Sequence, residues 1–331
     1  MSGRYCINRF DKTQAGLTIV ELMVSIALGL LVILLAIALL LSSKSGYVAQ
    51  DEGTRIQDTG RYAIESISRA ARQAAYENWD KEEAPIVNGA TISANIAGLD
   101  GQRLKENSPG IASPAGPSVN GSDVLAVRFF GVGAGVNGDG TVLNCAGFGV
   151  GAPHSKETAD EDRGWSIFYV APDSSGEPEL RCKYQGKSGW TSDALARGVE
   201  SFQVLYGVDA DADGLPNQFL TASAVQALDD ALIPVGDTAA ARARDKNKKT
   251  YWKKVVVLKI ALLVRGSQKA RTDALTMEYD LFGKGYSDTN AAADPGTSIK
   301  EAELPPAMRN RLRKVFTITV QLRNQVAGSA A

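Results

Sequence analysis

One carboxylate, Glu21, stands at the rim of twenty residues, Leu22 to Leu41, that contain no charge, Pro, Asn or Gln. On insertion scales an acid at the centre of such a span costs about 2.5–3.5 kcal/mol, and less near the interface. The group therefore needs a cationic partner. No nearby cation follows Gly16, so the partner belongs to another molecule. A second cluster of acids, Asp209, Asp211 and Asp213 followed by Gly214, copies positions 1, 3, 5 and 6 of a calcium loop, where alternate oxygens converge and Gly permits the turn. Position 12 should bring a bidentate Glu but is Leu220, and Pro216 interrupts the second half. Calcium is thus the candidate metal, weakly held; the plain alternative is an exposed acidic turn after a strand.

Other apparent motifs carry less. Gly133, Gly135 and Gly138 match a dinucleotide pattern, but Asn137-Gly138-Asp139-Gly140 predicts a turn with no helix after it. Gly186-Lys187-Ser188 ends like a phosphate loop, yet Arg181 occupies the place of its first glycine. His154 is the only histidine and sits in a predicted loop, so histidine-dependent triads have no frame. Acids are plentiful without a paired motif. No catalytic residue and no certain cofactor are predicted. The chain reads as a non-enzyme.

The elements that position these groups begin with a helix. At 1.5 Å per residue, Leu22–Leu41 is about 30 Å long, one bilayer core. Arg4, Arg9 and Lys12 against Asp11 precede it, which keeps the short N-terminal end cytoplasmic and exports the rest. Ala36-Ile37-Ala38 has a signal-peptidase pattern but lies inside the apolar run. From Tyr47 to Tyr76 a helical period continues through Ile56, Ala63, Ile64, Ile67, Ala70, Ala71, Ala74 and Ala75. Asp51–Arg55, Glu65–Arg69 and Asp58–Arg61 stand at ion-pair spacing. Gly53 and Gly60 each weaken that half by about 1 kcal/mol relative to Ala.

Beyond Trp79 the texture turns to Pro, Gly, Asn and Ser, then to strands at Asp123–Gly131, Trp165–Ala171 and Glu179–Tyr184. Val199–Tyr206 sets Phe202, Val204 and Tyr206 on one face. Lys254–Val264 does so with Val256, Leu258, Ile260, Leu262 and Val264, and Val315–Leu322 with Phe316, Ile318, Val320 and Leu322. The prediction is an α+β fold, an antiparallel sheet laid on a long transmembrane and amphipathic helix. Ala222–Thr250 and Ser287–Pro306 are expected as insertions with short helices. A net charge of −1 without a basic excess argues against nucleic acid, and Arg309, Arg311, Arg313 and Lys314 are expected to be solvated.

The N-terminal pattern resembles the class III signal of type IV pilins and type II secretion pseudopilins. It has a basic leader ending in Gly16, a new first residue Leu17 where Phe is commoner, Glu21 five positions into the mature chain, and then the apolar span. The resemblance implies cleavage after Gly16 by a prepilin peptidase, N-methylation of Leu17, and pairing of Glu21 with a neighbouring subunit's amine. Such a buried pair sets register more dependably than stability. Asp123-Val-Leu-Ala-Val-Arg-Phe129, the segments around Cys145 and Cys182, Gly198–Phe202, Leu205–Asp209, Val315–Thr319 and Leu322-Arg-Asn324 further resemble the PilW-type minor pilins.

The organisation then expected is a leader at 1–16, a helix at 17–78 and a periplasmic domain at 79–331. The implied function is a minor pilin that primes pilus biogenesis and contributes to a tip complex. Its implied partners are the peptidase, other minor pilins, the major pilin, a tip adhesin and the inner membrane. The alternatives are a type II secretion minor pseudopilin and a membrane-anchored periplasmic binding protein. Losing the leader removes three basic residues and one acid, leaving about −3. It also removes Cys6, so Cys145 and Cys182 on the oxidising side read as one disulfide, the alternative being two buried thiols.

Overall fold

The computed structural model describes residues 16–76, 91–271 and 276–322. The leader residues Arg4, Cys6, Arg9, Asp11 and Lys12, together with Trp79 and Asn324, lie outside them. The chain divides into two units, Met1–Gln50 and Asp51–Ala331. Helix α1 runs Ile19–Gln73. In the first unit every residue from Gly16 to Tyr47 is exposed, leucines and isoleucines included, which is the surface a lipid-facing span presents.

In the second unit the same helix buries one stripe, Glu52, Ile56, Gly60, Ala63, Ile67, Ala70 and Ala71, at the i, i+3, i+4 spacing of a single face. Asp51–Arg55 closes at 2.9 Å. Glu65 pairs with Arg72 (3.9 Å) rather than with Arg69, and the Asp58–Arg61 pair does not form. Gly60 has a reason to be glycine: a Cβ there would overlap the Phe316 ring. The helix propensity lost at this position is the condition for close packing. Glu52 is completely buried, its carboxylate accepting from Ser267 Oγ (2.9 Å) and the Gln268 amide (3.2 Å).

Among the described residues two larger antiparallel sheets and two small strand pairs follow, rather than one sheet. The first strands are β1 (Ile96–Leu99), the small pair β2 (Gln102–Leu104) and β3 (Pro114–Pro117), β4 (Val124–Phe129), β5 (Gly164–Pro172), β6 (Pro178–Gly186) and β7 (Gly189–Arg197). A five-stranded sheet has the order β1-β4-β5-β6-β7. The chain then changes sheet at Gly198, where φ is +79° and a Cβ would press on the Arg265 carbonyl, a conformation that glycine adopts freely. The next elements are β8 (Val199–Val208), β9 (Gln218–Leu220), α2 (Ala222–Asp230), α3 (Ala239–Lys249) and β10 (Val255–Arg265). They are followed by β11 (Glu278–Asp280), α4 (Lys284–Asn290), β12 (Ser298–Lys300) and β13 (Arg313–Gln321). The second sheet is ordered β13-β10-β8-β9.

One core joins the helix stripe to both sheets through Ile56, Ile67, Leu125, Phe168, Phe202, Val204, Tyr206, Leu258 and Leu262. The predicted β10 face holds for Leu258, Ile260, Leu262 and Val264, but Val255 takes the place of Val256 because the register shifts between Val255 and Val257. Ala222–Thr250 carries α2 and α3 as expected. Ser287–Pro306 is no plain insertion: Ile299 and Leu304, with Leu281, cover Ala261 and Leu263 on the other face of β10. Arg313 is also not solvated. Its side chain and that of Arg265 are buried and hold Glu200 at 2.5 and 2.9 Å; Arg313 reaches Glu301 (3.3 Å), which Arg271 also meets (2.7 Å).

Candidate functional site

The start of α1 is built from Thr18 and Glu21. Thr18 precedes the first helical residue, and its hydroxyl accepts the Glu21 amide at 3.2 Å. Glu21 reaches back: Oε2 accepts from both the amide and the hydroxyl of Thr18, each at 3.0 Å. This is a reciprocal capping box, which satisfies donors that a helix N-terminus would otherwise leave open. The spacing Thr-x-x-Glu at 18–21 is the sequence signal of this box. Glu21 Oε1 carries no bond among the described residues. A local cap and an oxygen open to an incoming cation therefore coexist in one side chain. Gly16 and Leu17 precede the helix and are exposed.

Two cysteines of the domain are joined. Cys145 and Cys182 form a disulfide with Cα atoms 5.9 Å apart, 37 residues apart in sequence. It ties the glycine-rich segment 131–152 to β6, and the Cys145 amide donates to Ser166 Oγ of β5 (2.9 Å). Closing a loop of this length stabilises by about 4 kcal/mol in the chain-entropy account.

Asp209, Asp211 and Asp213 do converge, with ligand oxygens within 4.8 Å of one another; Asp209 is buried and the other two are exposed. Asp209 already accepts the amides of Ala212 (2.7 Å) and Gly214 (2.8 Å). Burial works against its ionisation, but the Gly214 and Ala212 amides outweigh it and hold its carboxyl below the usual range. Ala212 has a φ of +62°, which Gly or Asn would adopt more readily. The turn is thus closed by its own backbone, with Asp211 and Asp213 outermost. His154 lies exposed in a loop with Nδ1 3.2 Å from Asp162 Oδ2. The Gly133–Gly138 stretch is a run of turns and Gly186–Gly189 a hairpin tip, so neither precedes a helix.

An apolar, exposed N-terminal helix opened by a Thr18–Glu21 box, continuing into an antiparallel α+β domain, defines a type IV pilin-like protein. The model described as the prokaryotic N-terminal methylation motif matches residues 11–37. The model for Type IV Pilus-assembly protein W matches residues 167–324, from β5 through β13. Together the two matches support a PilW-type pilin. No curated protein and no solved structure gives a significant match.

Proposed function

We propose that the chain is a minor pilin of the type IV pilus, a non-enzymatic subunit that primes pilus assembly and takes part in a tip complex. The observation that carries this reading is the methylation motif at 11–37 standing ahead of a pilus-assembly domain at 167–324 in one chain. In this reading a prepilin peptidase cuts between Gly16 and Leu17, Leu17 is N-methylated, and Glu21 pairs with the new amine of an adjoining subunit. The protein waits in the inner membrane with its N-terminus cytoplasmic and its domain periplasmic, then joins minor and major pilins. The family description, a pilus-assembly protein, favours this over a type II secretion pseudopilin.

Intact-mass spectrometry of protein purified from native membranes tests the processing. A chain beginning at Leu17 and one methylene heavier than its sequence is expected; an unmodified chain beginning at Met1 rejects the reading. Deletion should abolish surface pili and leave secretion intact, whereas the pseudopilin alternative reverses both outcomes. The Asp209, Asp211 and Asp213 turn is proposed as a weak calcium loop, supported by the convergence of its carboxylates. Calorimetry of the full chain in lipid nanodiscs should show heat with millimolar calcium, lost in Asp211→Asn; a flat titration removes calcium from the account.

A further inference from the structure

The segment Gly131–Gly151 has eight glycines and almost no regular structure, yet it is closely built. A Cβ at Gly131, Gly138, Gly149 or Gly151 would overlap neighbouring backbone. Strand-like bonds run Val132 N–H to Val150 O (3.1 Å), Val150 N–H to Val142 O (3.0 Å) and Ala152 N–H to Gly133 O (2.9 Å). The disulfide pins the segment to β6. A long loop held this firmly is more often a binding wall than a connector.

The wall faces a cleft of about 870 Å³, within the size range of small-molecule sites. It opens where β5 and β6 part: their pairing ends at Ile167–Lys183, leaving Gly164–Ser166 and Tyr184–Gly186 splayed. Four aromatic rings line it. Trp165 and Trp190 meet edge to face at 5.5 Å, and Phe148 lies 5.3 Å from Tyr184. The rings are braced from outside the cleft lining, with the Arg128 guanidinium 4.2 Å from the Trp165 ring and the Lys183 amine 5.5 Å from that of Trp190. Lys183 is itself fixed by the carbonyls of Lys105 (2.8 Å) and Gly110 (2.9 Å). Phe148 is 53% exposed, so its apolar surface is available to a ligand.

The polar lining narrows the ligand. Charges balance, Glu161 and Asp162 against Arg163 and Lys187. Asp162 is already taken by the His154 amide (3.0 Å) and the Thr158 hydroxyl (2.7 Å), and Arg163 by Asp160 (3.1 Å). Glu161 and Lys187 remain, one of each sign, so the lining offers no net charge by which to select an ion. Asn137, Gln185 and Ser188 add neutral amide and hydroxyl groups. Rings that offer flat apolar faces, set beside amides that exchange hydrogen bonds, suit a solute with C–H faces and a hydroxyl rim. We propose that this cleft binds a neutral oligosaccharide. The inference stands apart from the pilin reading, since it needs only the domain's fold.

Two of the chain's four tryptophans line the cleft, so intrinsic fluorescence reports its occupation. The full chain is placed in phospholipid nanodiscs, because maltoside detergents carry a competing sugar. It is then titrated with cellohexaose, chitohexaose and maltohexaose. At least one should shift the emission saturably at micromolar to millimolar concentration. Trp190→Ala should weaken that binding tenfold or more. Phe148→Ala, at an exposed position that leaves the fold intact, should weaken it several-fold. Phe219→Ala, exposed on the other sheet, should leave it unchanged. If none of the three sugars shifts the emission, or if Phe148→Ala binds as tightly as the wild type, the cleft is not a saccharide site.

Discussion

Replacing Glu21 by Gln separates the two tasks that its carboxylate has been assigned. Gln at the third helical position can accept from Thr18 much as Glu does, so the capping box persists. Glu21→Ala removes it, at about 1 kcal/mol. Both changes remove the charge. If a neighbouring amine lies about 4 Å away in the assembled helix bundle, the lost attraction is about 4 kcal/mol at an effective dielectric of 20. Stranding a buried cation by deleting its partner costs about 3–5 kcal/mol. At 1.4 kcal/mol per decade that is a loss of roughly two to three orders of magnitude in incorporation. Glu21→Gln should therefore accumulate normally in the membrane and almost vanish from pili sheared from the cell surface. Glu21→Ala should do the same with a slightly frayed helix start. Immunoblots of the two fractions from chromosomal replacements make the measurement. Normal incorporation of Glu21→Gln with failure of Glu21→Ala would refute the pairing and leave Glu21 as a helix cap only.

Three further outcomes follow from the domain. Cys145→Ser with Cys182→Ser should destabilise by about 4 kcal/mol and lower the melting temperature by about 10 °C, as should dithiothreitol; an unchanged melt means the disulfide constrains nothing. Glu200→Gln, which leaves Arg313 to Glu301 and Arg265 to Glu177, should cost about 1–3 kcal/mol in denaturant unfolding; a stability equal to that of the wild type contradicts the network. Burial pushes Asp294 up to about 6 despite the Tyr286 hydroxyl it accepts at 2.9 Å, with Asp100 adding repulsion. The folded domain thus holds that proton more tightly than the unfolded chain. The stability it confers is complete below about pH 4 and is lost as pH rises through 6. Asp294→Asn should melt higher than the wild type at pH 7 and equally at pH 4; equal melting at both rejects the shift.

What the sequence made legible is what depends on period. The apolar span, the helical stripe through Ile56, Ala63, Ile67 and Ala71, and the faces of β8 and β13 are local patterns, and each fixes which side meets the core. The pairing of Cys145 with Cys182 came from counting. What stayed hidden depends on groups brought together from far apart. Gly60 looked like a weak point because Phe316 lies 256 positions away. Arg313 looked solvated because Glu200 and Arg265 arrive from other strands. The second sheet rests on one corner at Gly198, and its outer cover on Leu281, Ile299 and Leu304, spread over a stretch with no periodicity. The Val255–Val257 shift moved one face by a residue, an irregularity no alternation rule anticipates. The capping box is legible in Thr18-x-x-Glu21, a local signal that stands beside any role of the same carboxylate toward a neighbouring subunit.

The exposed apolar surface of the first unit bears on why so much should rest on one acid. In water, covering Leu22–Leu41 would itself drive association at roughly 25 cal/mol per Å². In lipid that drive is absent, because a neighbouring helix is no more apolar than the acyl chains it replaces. A subunit leaving the bilayer for a bundle of like helices then gains from close packing and from polar pairs alone. Packing has two small residues to exploit inside the span besides its alanines, Ser25 and Gly29, and Gly29 has open space around it in the isolated chain. Polar pairing has Glu21, since Ser25 already donates to the Glu21 carbonyl at 2.6 Å. A span this uniform would slide against its neighbours with little change in energy. A single carboxylate with one oxygen uncommitted gives that sliding coordinate one deep minimum. On this argument Gly29→Leu should weaken incorporation by obstructing close approach, whereas Glu21→Gln should abolish a defined register, and cysteine cross-linking between neighbouring helices distinguishes the two: fewer cross-links at the same positions for the first, scattered positions for the second.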